Sequence, residues 1–129
     1  MSVDASRLER VPLFSELSGG DRALLAAKME ERHAAPGEHL SNQGGSGYFF
    51  FVIEEGTADV ARDGQVVAEL GPDDFFGEIA ILATPRRTAT VTATAPMTLL
   101  AMFGADFAKF SAEMPALAQK VQQAIDERS

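Results

Sequence analysis

The sequence predicts a mainly β domain, an antiparallel sandwich or barrel, with helices before and after it. Three observations carry that expectation. Turn signals recur at short intervals between residues 35 and 74, as "APG", "GGSG", "EEG", "DG" and "GPDD". Short strand-like runs lie between them, at residues 48–53, 57–62 and 65–70. Apolar residues at helical spacing appear only outside that region. The 129 residues suit one domain with a real core.

Each element has its own signal. Val11, Leu13, Phe14, Leu17, Leu24 and Leu25 stand among polar residues, and "LSGGD" interrupts them. Two short helices fit that pattern better than one long one. Asp21 is a candidate N-cap for a helix through about Met29. Asp63-Gly64, between 58–62 and 65–68, is a two-residue hairpin signal. "YFFFVI" at 48–53 reads as strand core rather than an aromatic platform. A second strand pair is expected at 88–94 and 97–103, joined at Ala95-Pro96. Phe107, Phe110 and Met114 then share a helical face. Pro115 suits a first helical position. Leu117, Val121, Ala124 and Ile125 form a second stripe, first of all a packing face.

Composition narrows the function classes. A hydrophobic fraction of 46% and a charged fraction of 23% are ordinary for a globular chain. No apolar run is long enough to span a bilayer, and the first ten residues hold no apolar leader region. Cysteine is absent, which excludes disulfides and thiolate metal sites and fits the cytoplasm. Net charge is −8, with 19 acidic against 11 basic residues. Such a surface repels nucleic acid and anionic membranes unless a basic patch offsets it, and the basic residues are scattered, so this chain alone is not expected to bind nucleic acid.

One segment reads as a site. "GEIAILATPRRTATV", residues 77–91, sets Glu78 and the pair Arg86-Arg87 at the ends of an otherwise core-like stretch. Gly77 allows close backbone approach. "EIAIL" suits a single helical turn, whose free N–H groups attract an anion. In a strand, Arg87, Ala89, Val91 and Ala93 have one parity, and Arg86, Thr88, Thr90 and Thr92 the other. The apolar set belongs inside, which makes Arg87 the inward arginine. A buried guanidinium needs an anion, supplied by Glu78, by Asp73 or Asp74, or by a ligand. A ligand with one phosphate charge and a neighbouring hydroxyl would satisfy both groups. Arg87 would take the phosphate, and Glu78 would accept from the hydroxyl. Taken alone, Glu78 also reads as a first-turn carboxylate favoured by the helix dipole.

With those residues in view, the chain resembles the cyclic nucleotide-binding domain family over nearly its whole length. "VPLFSELS" resembles the family's helical entry, and "APGEHLSNQG" and "YFFFVIEEGTADV" its early strands. "LGPDDFFGEIAIL" with "PRRTATVTA" resembles its phosphate-binding cassette, as in bacterial channel regulatory domains, protein kinase A regulatory subunits and the catabolite activator family. The resemblance implies an eight-stranded antiparallel β roll, of jelly-roll type, with N-terminal helices, a short cassette helix and two C-terminal helices. It implies N-terminal helices over 7–29, a roll over 30–103 with its cassette at 71–91, and a hinge and lid over 104–128.

The resemblance also implies roles. Arg87 binds the cyclic phosphate and Glu78 the ribose 2′-hydroxyl. Gly77, Ile79 and Ala80 lay backbone against ribose and phosphate, and Thr88 and Ala89 contact the phosphate. Val60, Leu70 and Val91 line the base pocket, and Arg128 on the lid reaches the base. The implied ligand is cyclic AMP, with cyclic GMP open through Thr88, and no other cofactor. The implied role is a cytoplasmic sensor, not an enzyme, whose C-terminal helices address an effector domain or protein partner.

Alternative readings are a ligand-binding fragment of a transcription regulator or channel, and a ligand-free interaction domain of the same fold. No helix-turn-helix fits in the four residues after Ile125. A metal enzyme of the cupin type is disfavoured, because His33 and His39 form no ligand-spaced constellation. Nucleophile and P-loop motifs are missing.

Overall fold

A short polar cap starts the chain's first turn. The computed structural model describes residues 3–41, 49–78 and 89–128, with the backbone alone of Ser41 and Arg128. Asp4 caps a 3-10 turn at Ala5–Leu8, and a second follows at Pro12–Phe14. Helix α1 spans Gly19–Ala27. Its N-cap is Ser18, whose hydroxyl accepts from the Asp21 N–H at 3.1 Å. The expected cap at Asp21 is therefore corrected by three residues. Serine caps as well as aspartate, and Asp21 instead favours the dipole from within the first turn. Of the two expected helices, the first is replaced by 3-10 turns.

Among the described residues eight strands follow, in two four-stranded antiparallel sheets. They are β1 (Glu30–Ala34), β2 (His39–Ser41), β3 (Phe49–Glu55), β4 (Ala58–Arg62), β5 (Gln65–Leu70), β6 (Phe75–Phe76), β7 (Thr90–Ala93) and β8 (Met97–Phe103). One sheet has the order β1-β8-β3-β6 and the other β2-β7-β4-β5. This is the expected antiparallel roll. The β4–β5 hairpin turns where the dipeptide predicted: Arg62 pairs Gln65, and Asp63 and Gly64 have φ of 53° and 81°. Two positive φ values make the turn whose twist matches paired strands.

The strand pair expected from 88–94 and 97–103 is not a pair. β7 lies between β2 and β4, and β8 between β1 and β3. The bonds around Ala93 explain it. Its carbonyl accepts from the Gly37 N–H at 2.7 Å, and its N–H donates to the Glu38 carbonyl at 2.9 Å. The Thr94 N–H donates to Thr57 at 2.9 Å. Both neighbouring edges are thus occupied, and Ala95-Pro96 carries the chain across to the other sheet.

Two apolar clusters hold the layers. Phe50, Val52, Leu100 and Met102 face the helices, whereas Phe51, Ile53, Leu99 and Ala101 face the roll interior. β3 and β8 are buried on both faces over residues 50–53 and 99–102, which is why those stretches read as unbroken apolar runs. Helices α2 (Gly104–Glu113) and α3 (Pro115–Arg128) close the chain. Phe107, Phe110, Met114, Leu117, Val121 and Ile125 all enter the helical cluster. The Phe107 ring stacks on Phe50 with centroids 3.9 Å apart and planes within 6°.

A charged cluster pins the entry turn to the sheet. Arg7 Nε donates to Glu54 Oε2 at 2.7 Å, and Nη2 donates to Glu31 Oε1 at 2.6 Å and to the other Glu54 oxygen. His33 Nε2 lies 2.9 Å from Glu31 Oε2. The hydrogen bond from Arg7, then that from His33, holds the Glu31 carboxyl below the usual carboxylate range.

Candidate functional site

The segment singled out in the sequence joins the two sheets. It leaves the first sheet after Phe76 and enters the second at Thr90. Its departure point is tightly built. The "GPDD" turn is fastened to β3: the Ile53 N–H donates to the Asp74 carbonyl, and the Asp73 N–H to the Ile53 carbonyl, both at 2.8 Å. The Asp74 carboxylate accepts from the Gly71 N–H at 2.8 Å. β6 then pairs with β3, and Phe76 stacks on Phe51 with centroids 5.0 Å apart. Gly77 follows with φ 106°, a conformation that residues with a Cβ rarely adopt. The kink redirects the chain, and Glu78 comes next with helical backbone and only 1% exposure. A carboxylate so buried demands donors around it.

The facing sheet supplies an apolar wall. Val60 on β4 lies opposite Val91 on β7, and Ala58 lies opposite Leu70 on β5. Ala58 and Val60 are two apart, so all four side chains share one face of the sheet. That face is the roll interior: Val91 belongs to the interior cluster, and Val60 and Leu70, half-buried, pack against it. Three residues named for a base pocket therefore stand together. Ala89, Val91 and Ala93 are buried while Thr90 and Thr92 are half-exposed, the alternation expected of this strand.

Of the remaining candidates, Ile79, Ala80, Arg87 and Thr88 lie outside the described residues, as does the cassette helix beyond Glu78. Arg128 ends α3, and its side chain is likewise outside the described part. Gly77, Glu78 and Ala89 flank the undescribed stretch on its two sides. Sequence reasoning passed over Phe76 and Leu40, which join the same interior cluster. The signal available was the aromatic pair before Gly77 and the strand character of "HLS". Among the described residues no group of three or more histidine or acidic side chains is placed to hold a metal ion. No helix among them is long and apolar enough to cross a membrane.

Comparison with known proteins agrees with this fold. Residues 31–114 match the family model described as "Cyclic nucleotide-binding domain". A cAMP-dependent protein kinase regulatory subunit of Eremothecium gossypii is 43% identical over 67% of this chain and 19% of its own length. A cyclic nucleotide-gated potassium channel of Rhizobium etli is 32% identical over 92% of this chain and 33% of its own length. The chain thus spans a third or less of these curated relatives. The catabolite activator protein of Thermus thermophilus superposes with a TM-score of 0.79 at 27% identity, covering 91% of this chain and 57% of that one.

Proposed function

This chain belongs to the cyclic nucleotide-binding domain family, and on that premise we propose that it binds a 3′,5′-cyclic nucleotide, cyclic AMP before cyclic GMP, as a cytoplasmic sensor without catalysis. The observation that carries the reading is Glu78: a carboxylate held at 1% exposure where β6 ends, beyond a kink at Gly77. A ribose 2′-hydroxyl is a donor suited to that acceptor. Arg87, nine residues on, takes the cyclic phosphate in fork geometry. Backbone at Gly77, Ile79 and Ala80 lies against ribose and phosphate, and Thr88 and Ala89 add phosphate contacts. The base rests on the wall of Val60, Leu70 and Val91, and Arg128 reaches it from the lid.

Binding becomes signal by population shift. In the described arrangement the α3 stripe packs on the 3-10 turn Pro12–Phe14 and the helical cluster. Ligand in the roll favours an arrangement with α3 over the base, and an effector reads that displacement. The name of the fungal kinase subunit supports cyclic AMP as the ligand. The test is calorimetric titration with both nucleotides. One site per chain is expected, with tighter binding of cyclic AMP. Absence of heat from either nucleotide at millimolar concentration would overturn the reading.

A further inference from the structure

Helix α2 is anchored by Phe107, Phe110 and Met114, which all enter the helical cluster. Its first half is fixed by Phe107, fully buried and stacked on Phe50 of β3. One turn later, on the same face, stands Ser111 at 7% exposure. Its hydroxyl meets no hydrogen-bond partner among the described residues. A helical serine can return its hydroxyl to the carbonyl four residues back, and this one does not. Three residues on, Met114 leaves helical geometry with φ −114° and ψ 100°, and Pro115 opens α3. An apolar stripe otherwise made of Phe107, Phe110 and Met114 thus holds one unsatisfied hydroxyl beside the break between two helices.

We infer that Ser111 is a built-in bias against the docked arrangement of the C-terminal helices, keeping it weak enough for a ligand to displace. A buried hydroxyl without a partner costs its full desolvation, and alanine at that position would not. The cost is levied only while Ser111 is packed inside. Movement of the second half of α2 about Phe107, freed at its far end by the Met114–Pro115 break, returns the hydroxyl to water. Phe107 on Phe50 stays as the pivot. The inference rests on the proposed function for its direction: if ligand draws α3 from the helical cluster to the roll, whatever strengthens docking weakens binding.

The experiment compares the full chain with Ser111→Ala and with Ser111→Cys, which keeps the shape at slightly larger volume and lowers the hydrogen-bonding demand. Amide hydrogen exchange is read between residues 114 and 125, and cyclic AMP affinity by calorimetry. Both variants are expected to slow exchange there by about tenfold and to weaken cyclic AMP binding by a similar factor. Unchanged exchange overturns the inference. So does slowed exchange with unchanged affinity, which would make Ser111 a packing defect and nothing more. If the unaltered chain takes up no cyclic nucleotide, the function reading fails, and exchange alone decides: no slowing in either variant overturns the bias.

Discussion

Removing the ligand's 2′-hydroxyl and removing Glu78 should be nearly equivalent perturbations. Glu78 is 1% exposed at the end of β6, so water screens its hydrogen bonds little. A hydrogen bond to a charged acceptor contributes about 1.5–3 kcal/mol, or roughly 10- to 150-fold in affinity. The depth of the carboxylate points to the upper half of that range. The unaltered chain should therefore prefer cyclic AMP over its 2′-deoxy analogue by that factor. In Glu78→Gln the acceptor is neutral, and the preference should shrink to roughly 2- to 13-fold, the value of an uncharged bond of about 0.5–1.5 kcal/mol. In Glu78→Ala it should nearly vanish. The assay is calorimetric titration of all three proteins with both ligands, with thermal melts to establish that each variant is folded. Equal affinity of the unaltered chain for the two ligands would refute the assigned partner. Full discrimination retained by Glu78→Ala would do so as well.

Two further predictions concern the frame around the site. A Cβ at Gly56 would lie 2.4 Å from the Pro96 carbonyl oxygen, on backbone with φ 91°. Gly56→Ala should therefore lose roughly 3–5 kcal/mol in urea denaturation, from strain and overpacking together; a loss under 1 kcal/mol would contradict the close approach. The Glu31 carboxyl is held below its ordinary value of 4.5 by Arg7 and then His33. Its folded-state pKa is depressed, so its contribution is present above that pH and lost as pH falls through the folded value. Arg7→Ala should flatten the decline of stability below pH 4.5, and an unaltered slope would contradict the assignment.

Much of this architecture was legible because a few residues speak unambiguously. Asp63-Gly64 specified its turn, and Pro115 specified the start of α3. The alternation of Ala89, Val91 and Ala93 with threonines gave the inward face of β7 without any tertiary information. What escaped was decided by pairing partners far along the chain. Nothing local in 88–103 says that β7 seeks β2 and β4 while β8 seeks β1 and β3. β1, "EERHA", carries charge because it is an edge strand with one face bound to Arg7, so it lacks an apolar period. β6 is two residues long, too short for any period. At the site, the Gly77 kink and Glu78 were legible from residue type. The common wall of Val60, Leu70 and Val91 needed the strand register.

The division of labour between the adjacent arginines tests the central claim most directly. The buried side of β7 carries Val91 and Ala93, with buried Ala89 just before it, and by position in the sequence Arg87 shares their parity whereas Arg86 does not. Cyclic AMP affinity should be measured for Arg86→Ala and Arg87→Ala beside the unaltered chain. Losing a charge-assisted phosphate contact should weaken binding by Arg87→Ala roughly 10- to 150-fold, while Arg86→Ala stays within about twofold. Equal losses in the two variants, or a larger one for Arg86→Ala, would contradict the account.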